Sequence, residues 1–175
     1  PADGEGVING LQHAMRMGGR IERRGRTPNG RFGFGLPQTA IAFECVTKVY
    51  TRTVQHTWRN MTVSREILEA AETEDGRIWL PDLEFTAPTE EETPHGWKFA
   101  ASGTMVSFVD VPLKRHRFPN TDLLFELLSK DLGQTYRYPI RDDLNIVITT
   151  ENETALDPIL LRDPMCTMEG SIEYE

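Results

Sequence analysis

The stretch Trp97–Val111, WKFAASGTMVSFVDV, decides how the chain is read, because it is the longest run that alternates cleanly enough for a long strand. At period two, Trp97, Phe99, Ala101, Gly103, Met105, Ser107 and Val109 share one face, and Lys98, Ala100, Ser102, Thr104, Val106, Phe108 and Asp110 share the other. Neither face is simply polar, and a strand that is apolar on both sides belongs in the middle of a sheet. The run is therefore expected to be the central strand, with Ala101, Ser102 and Gly103 marking a bulge or a close backbone approach.

Upstream, Thr39–Val54 reads as an amphipathic strand, Ile41, Phe43, Cys45, Thr47 and Val49 facing one way and Glu44, Lys48, Tyr50 and Arg52 mostly the other. Gln55–Asn60 reads as a polar link. Ser64 is placed to cap a short helix through Ala71, with Val63 before the cap and Leu68 after it forming a hydrophobic staple. Arg77–Thr86 then looks like a strand interrupted by Pro81, which favours an edge position, and Ala87–Gly96 is a polar loop. Downstream, Asn120 or Thr121 caps a helix over Asp122–Leu132, whose Leu123, Leu124, Leu127 and Leu128 make an apolar stripe expected to cover the sheet, with Gly133 as its stop. Leu144, Ile146 and Ile148, and later Cys166, Met168, Ile172 and Tyr174, are patterned as strand. The expected fold is α+β: a five- or six-stranded, largely antiparallel sheet or open barrel with two helices, over residues 39–175 as a single domain, preceded by an extended arm over residues 1–38. Phe43, Trp79, Phe99, Met105 and Leu127 are its expected core.

The 175 residues suffice to bury a core without crosslinks. No apolar run reaches the roughly 18 residues that a membrane span needs, and PADGEGVING has no secretory apolar segment, so a soluble, intracellular protein in a reducing compartment is expected. Cys45 and Cys166 are then expected to be buried free thiols. Charge is unevenly spread. Residues 1–31 carry Arg16, Arg20, Arg23, Arg24, Arg26 and Arg31 against three acids, a net of +3, while the rest of the chain carries −11 of the total −8. A basic, glycine-rich arm bearing Phe32 and Phe34 as apolar anchors suits an acidic neighbouring copy, a polyanion or an anionic lipid surface. Lys114, Arg115 and Arg117, within PLKRHRFP, form a second basic candidate.

Catalytic chemistry finds little support. His13, His56, His95 and His116 lack metal-ligand spacing, and there is no Gly-x-Ser-x-Gly elbow. Gly25–Gly35 resembles a phosphate loop only in its first glycines, since Arg31 stands where the lysine belongs and no hydroxyl residue follows. No catalytic residue, cofactor, metal or small-molecule substrate is predicted.

The order of the amphipathic strand FECVTKVYTRT, the helix SREILEAA, GRIWLP, a proline-containing loop and a strand with Gly103-Thr104 resembles the matrix proteins of rhabdoviruses over residues 41–110. Two features depart from that family: the body is acidic where those proteins are basic, and no Pro-Pro-x-Tyr motif is present. The resemblance implies a non-enzymatic, self-associating virion protein that meets a nucleoprotein or RNA on one side and an anionic membrane on the other. A capsid or tail subunit, or an accessory subunit of a large complex, accounts for the arm equally well. A small β-rich ligand-binding or catalytic domain is the third class, and it requires a concave pocket with convergent polar groups.

Overall fold

Val46–Thr53 (β1) and His56–Val63 (β2) form an antiparallel hairpin in which Val49 lies opposite Met61 and Tyr50 opposite Asn60, with a register shift between Thr51 and Thr53. Gly103–Val109 (β3) pairs antiparallel with the other side of β1, Met105 opposite Tyr50 and Phe108 opposite Thr47. The sheet order is therefore β2-β1-β3. These relations come from a computed structural model that describes residues 10–16, 35–74, 80–93, 101–112, 120–149 and 158–174. Its chain groups into two compact units, Pro1–Pro112 and Leu113–Glu175, where the expected boundary lay after residue 38. The mixed α+β class stands.

In the first unit, alternation puts Thr47 and Val49 of β1 on the same face as Met61 and Val63 of β2, and all four are buried. The short helix Gly10–Met15 (α1) lays Leu11 and Met15 into that cluster, and Leu36, Leu68, Leu80 and Leu83 pack around it. Residues assigned to an extended arm thus complete the core, because the hairpin's apolar face would otherwise stay wet. A second helix, Gly35–Ala42 (α2), replaces the expected start of the strand at Thr39. Its Pro37 sits in the first turn, where a missing N–H costs nothing, and the Thr39 hydroxyl donates back to the Gly35 carbonyl at 2.7 Å. Glu44, at φ 48°, turns the chain from α2 into the sheet.

Ser64 caps Arg65–Ala70 (α3) as expected, accepting the Ile67 N–H at 3.2 Å, and Leu68 joins Val63 in the core cluster. Further expectations fail in this unit, among them the strand over Arg77–Thr86, whose described residues 80–86 hold only an isolated bridge at Glu84. The central strand is β1, and β3 lies at an edge with Val106 and Phe108 41% and 44% exposed. Gln55–Asn60 is mostly strand, its polarity reflecting a sheet end that meets water. A Cβ on Gly103 would meet nothing within 4 Å, so no close approach explains that glycine. Phe43 and Met105 are half-buried, and Trp79 and Phe99 lie outside the described residues.

In the second unit Asn120 caps Thr121–Thr135 (α4) through the Leu123 N–H at 2.9 Å, and a short helix, Arg137–Arg141 (α5), follows. Gly133 is not the stop but lies inside α4. A Cβ there would come 2.5 Å from the Leu160 carbonyl oxygen, so glycine lets residues 160–162 press against the helix, where the Arg162 N–H donates to the Gly133 carbonyl at 3.3 Å. Residues 144–149 and 158–174 form no strand. They are held by single backbone bonds, Ile159 N–H to Ile146 and Ile172 N–H to Leu161, and by Asp163, whose buried carboxylate accepts from the N–H groups of Met165, Thr167 and Met168. The Thr167 hydroxyl, which donates to the same carboxylate at 2.8 Å, and then those N–H groups hold the Asp163 carboxyl below its ordinary range. Leu127, an expected core residue, is 39% exposed, and Cys166 is exposed while Cys45 is buried. Both thiols are free. Three strands, rather than five or six, are present among the described residues, and none of the helices there is long and apolar enough to cross a membrane.

Candidate functional site

The two edges of the sheet differ. Outside β2, the N–H and carbonyl of Asn60 pair with Glu84 at 2.8 and 3.0 Å, and the Asn60 side-chain amide donates to the Thr86 hydroxyl at 2.7 Å and to its carbonyl at 3.1 Å. That edge is occupied at its centre. Outside β3, no described residue pairs with the backbone. Natural edge strands discourage pairing with charge, proline or a bulge. The sequence GTMVSFV contains neither charge nor proline, and it pairs with β1 in unbroken register from Val46–Val109 to Arg52–Gly103. The strand ends at Asp110, whose φ of 61° turns the chain away.

The polar face of β1 is closed by a charge network. Glu92, in the turn after Pro88, accepts from Lys48 Nζ at 2.6 Å, from the Tyr50 hydroxyl at 2.9 Å and from the Thr89 N–H at 3.0 Å. The Lys48 ammonium foremost, with the Thr89 and Tyr50 donors, holds the Glu92 carboxyl down to about 2. Burial, reinforced by the Glu92 carboxylate beside it, pushes the Tyr50 phenol up to about 12. The network needs both ions as they stand at neutral pH, and its role is to fasten residues 89–92 over β1.

At the turn end of the hairpin, a groove of about 530 Å³ is lined by Arg52, Thr53, His56, Trp58, Phe85 and Ala101 among others. The second unit holds a smaller cleft of about 210 Å³ lined by Phe125, Ser129, Ile148, Ile159, Arg162 and Ile172 among others. Among the described residues no group of three histidines, cysteines, aspartates or glutamates is placed to hold a metal.

Of the residues singled out in the sequence, Arg16 is exposed just past the end of α1. Arg20, Arg23, Arg24, Arg26, Arg31, Phe32 and Phe34, and Lys114, Arg115 and Arg117, lie outside the described residues. Sequence reasoning missed Trp58 and Phe85, with Arg52 lying over the first ring and Arg59 over the second. One signal was available: residues 45–63 contain no aspartate or glutamate, although the chain carries 27. No protein-family model, no curated protein and no solved structure matches the chain.

Proposed function

We propose that the chain is a non-enzymatic assembly protein that joins to a second copy of itself through β3. The single observation that carries this reading is the uncharged, proline-free edge of β3, unpaired among the described residues, in a sheet whose other edge is occupied at its centre. A two-fold axis at Val106 sets Val106 against itself, Met105 against Ser107, Thr104 against Phe108 and Gly103 against Val109, with no like charges opposed. The two three-stranded sheets then run on as one of six strands. The basic residues 16–31 against the acidic remainder offer a second, charge-driven contact between copies. Such a protein fits a matrix-like layer between nucleoprotein and membrane, and equally a capsid or accessory subunit.

The test is solution mass, by light scattering, over a range of protein and salt concentrations, with Val106→Lys as the variant. Lysine at that position opposes two ammonium groups across the axis while Val106 is already 41% exposed, so the fold should survive. Dimers or larger species in the wild type, reduced to monomer in Val106→Lys at unchanged circular dichroism, are expected. A wild type that stays monomeric at every concentration and salt, or oligomers untouched by Val106→Lys, overturns pairing through β3. Oligomers that Val106→Lys leaves intact but that dissolve as salt rises point instead to the basic residues 16–31.

A further inference from the structure

Within the second unit, α4 packs on its neighbours with the side that carries Phe125, Ser129 and Gly133, spaced four residues apart. Phe125 and Ser129 line the cleft with Ile159 and Leu160, and the Gly133 carbonyl accepts the Arg162 N–H at 3.3 Å. At 3.6 residues per turn, Leu123, Leu124, Leu127 and Leu128 face the other way, roughly 170° round the helix. Their burial agrees: Leu123, Leu127 and Leu128 are 37%, 39% and 38% exposed, and Leu124 is half-buried. A surface helix ordinarily turns its apolar stripe to the core, and here the Leu160 carbonyl, seated against Gly133, takes that place. The stripe carries no charge along its length. Asp131, one turn past Leu127, is exposed and continues its line at the C-terminal end, as exposed Asn120 does at the N-terminal end.

We infer that the leucine stripe of α4 binds the same stripe on a second copy of the chain, the two helices running antiparallel. The choice of a second copy rests on the self-assembly reading, whereas the contact itself uses no residue of β3. The stripe is its own complement, since a two-fold axis between Phe125 and Glu126 sets Leu123 against Leu128 and Leu124 against Leu127. That axis also sets Asp131 beside the Asn120 end of the other helix, where the first-turn N–H groups and the positive end of the helix dipole favour a carboxylate. Parallel helices would oppose Asp131 to itself, so charge selects the antiparallel arrangement. An anionic membrane is a poorer occupant, because the helix carries Asp122, Glu126 and Asp131 against Lys130 alone. Leucines already more than half covered fall short of the roughly 1,200 Å² that stable interfaces bury, so the pair is weak and forms only at high protein concentration.

The test is sedimentation velocity of the full chain carrying Val106→Lys, which blocks pairing through β3, up to protein concentrations approaching millimolar. In about 1 M salt, where screening over roughly 3 Å removes the charge-driven contact of residues 16–31, dimers are expected at the top of that range and none at the bottom. Leu127→Glu, added at a position that stands partly in solvent, should abolish them at unchanged circular dichroism. Asp131→Asn, read in about 0.1 M salt, should weaken the pair roughly 3- to 30-fold through its two symmetric contacts. Should Leu127→Glu fail to fold, Asp131→Asn still decides, since Asp131 is exposed. A chain that stays monomeric throughout, or dimers that Leu127→Glu leaves intact, overturns the proposal. So does a pair that Asp131→Asn leaves unchanged or strengthens, strengthening being the mark of parallel helices. Failure here leaves pairing through β3 standing, because that is read from the effect of Val106→Lys at low concentration. Dimers that appear only near millimolar and answer to Leu127→Glu, in a chain that Val106→Lys does not affect, sink the β3 reading and support this one.

Discussion

Glu92 is the residue on which the polar face of the sheet depends. Its carboxyl is ordinarily near 4.5 and lies at about 2 in the fold. The folded value is the lower one, so its stabilisation is complete above about pH 4.5 and disappears as pH falls towards 2. Glu92→Gln should therefore cost about 1–2 kcal/mol at neutral pH, the pair being partly in solvent, and the gap to wild type in urea titrations should close across that acid window. A gap that stays constant down to pH 2 would show that lost shape, not lost charge, accounts for the variant. Gly133 makes a different demand. Gly133→Ala must move either α4 or the Leu160 carbonyl, and about 1–3 kcal/mol of destabilisation is expected by chemical denaturation. The thiols give a third check: in the native protein a maleimide should label exposed Cys166 quickly and buried Cys45 only on unfolding, as read by peptide mass.

Elements were legible in the sequence where the local signal was also the tertiary one. Ser64 and Asn120 cap helices because a side-chain oxygen beside orphan N–H groups acts in the same way wherever the helix packs. Strand rank was not legible. The apolar character of both faces of β3 reads as central burial, yet the strand is last in the order of the described sheet. Thr39–Phe43 alternates as a strand would, but Pro37 and the Thr39–Gly35 bond make helix the better local solution. The hairpin groove was invisible because Trp58 and Phe85, both in its lining, are 27 residues apart, and the segment of Phe85 is tied to β2 by bonds between Asn60 and Glu84 and Thr86. The leucine stripe of α4 was seen, but its depth was not. Met61→Ala, at a fully buried position, should cost about 2–5 kcal/mol, while Leu127→Ala should cost about 1 kcal/mol or less, both by denaturant melts. Equal costs would mean that the stripe is covered after all.

For the whole molecule, α1 changes what truncation can reveal. Removing residues 1–38 takes Leu11 and Met15 out of the core with the arginines, so loss of association in such a deletion would report unfolding as much as a missing contact. Charge reversal at Arg16, Arg20, Arg23 and Arg24 keeps Leu11 and Met15 in the chain. Under the charge-driven contact it should lower the solution mass at low salt and leave it unchanged at high salt. The inequality of the two sheet edges has a consequence for architecture. A sheet open on both sides can add copies without limit, as fibres do, whereas one with a single vacant side has a valence of one and is saturated when two copies meet. Under the proposed pairing through β3, a layer or shell built from this chain would be a lattice of pairs tied by a second and weaker bond, and its smallest stable brick would be a dimer that persists when the lattice dissolves.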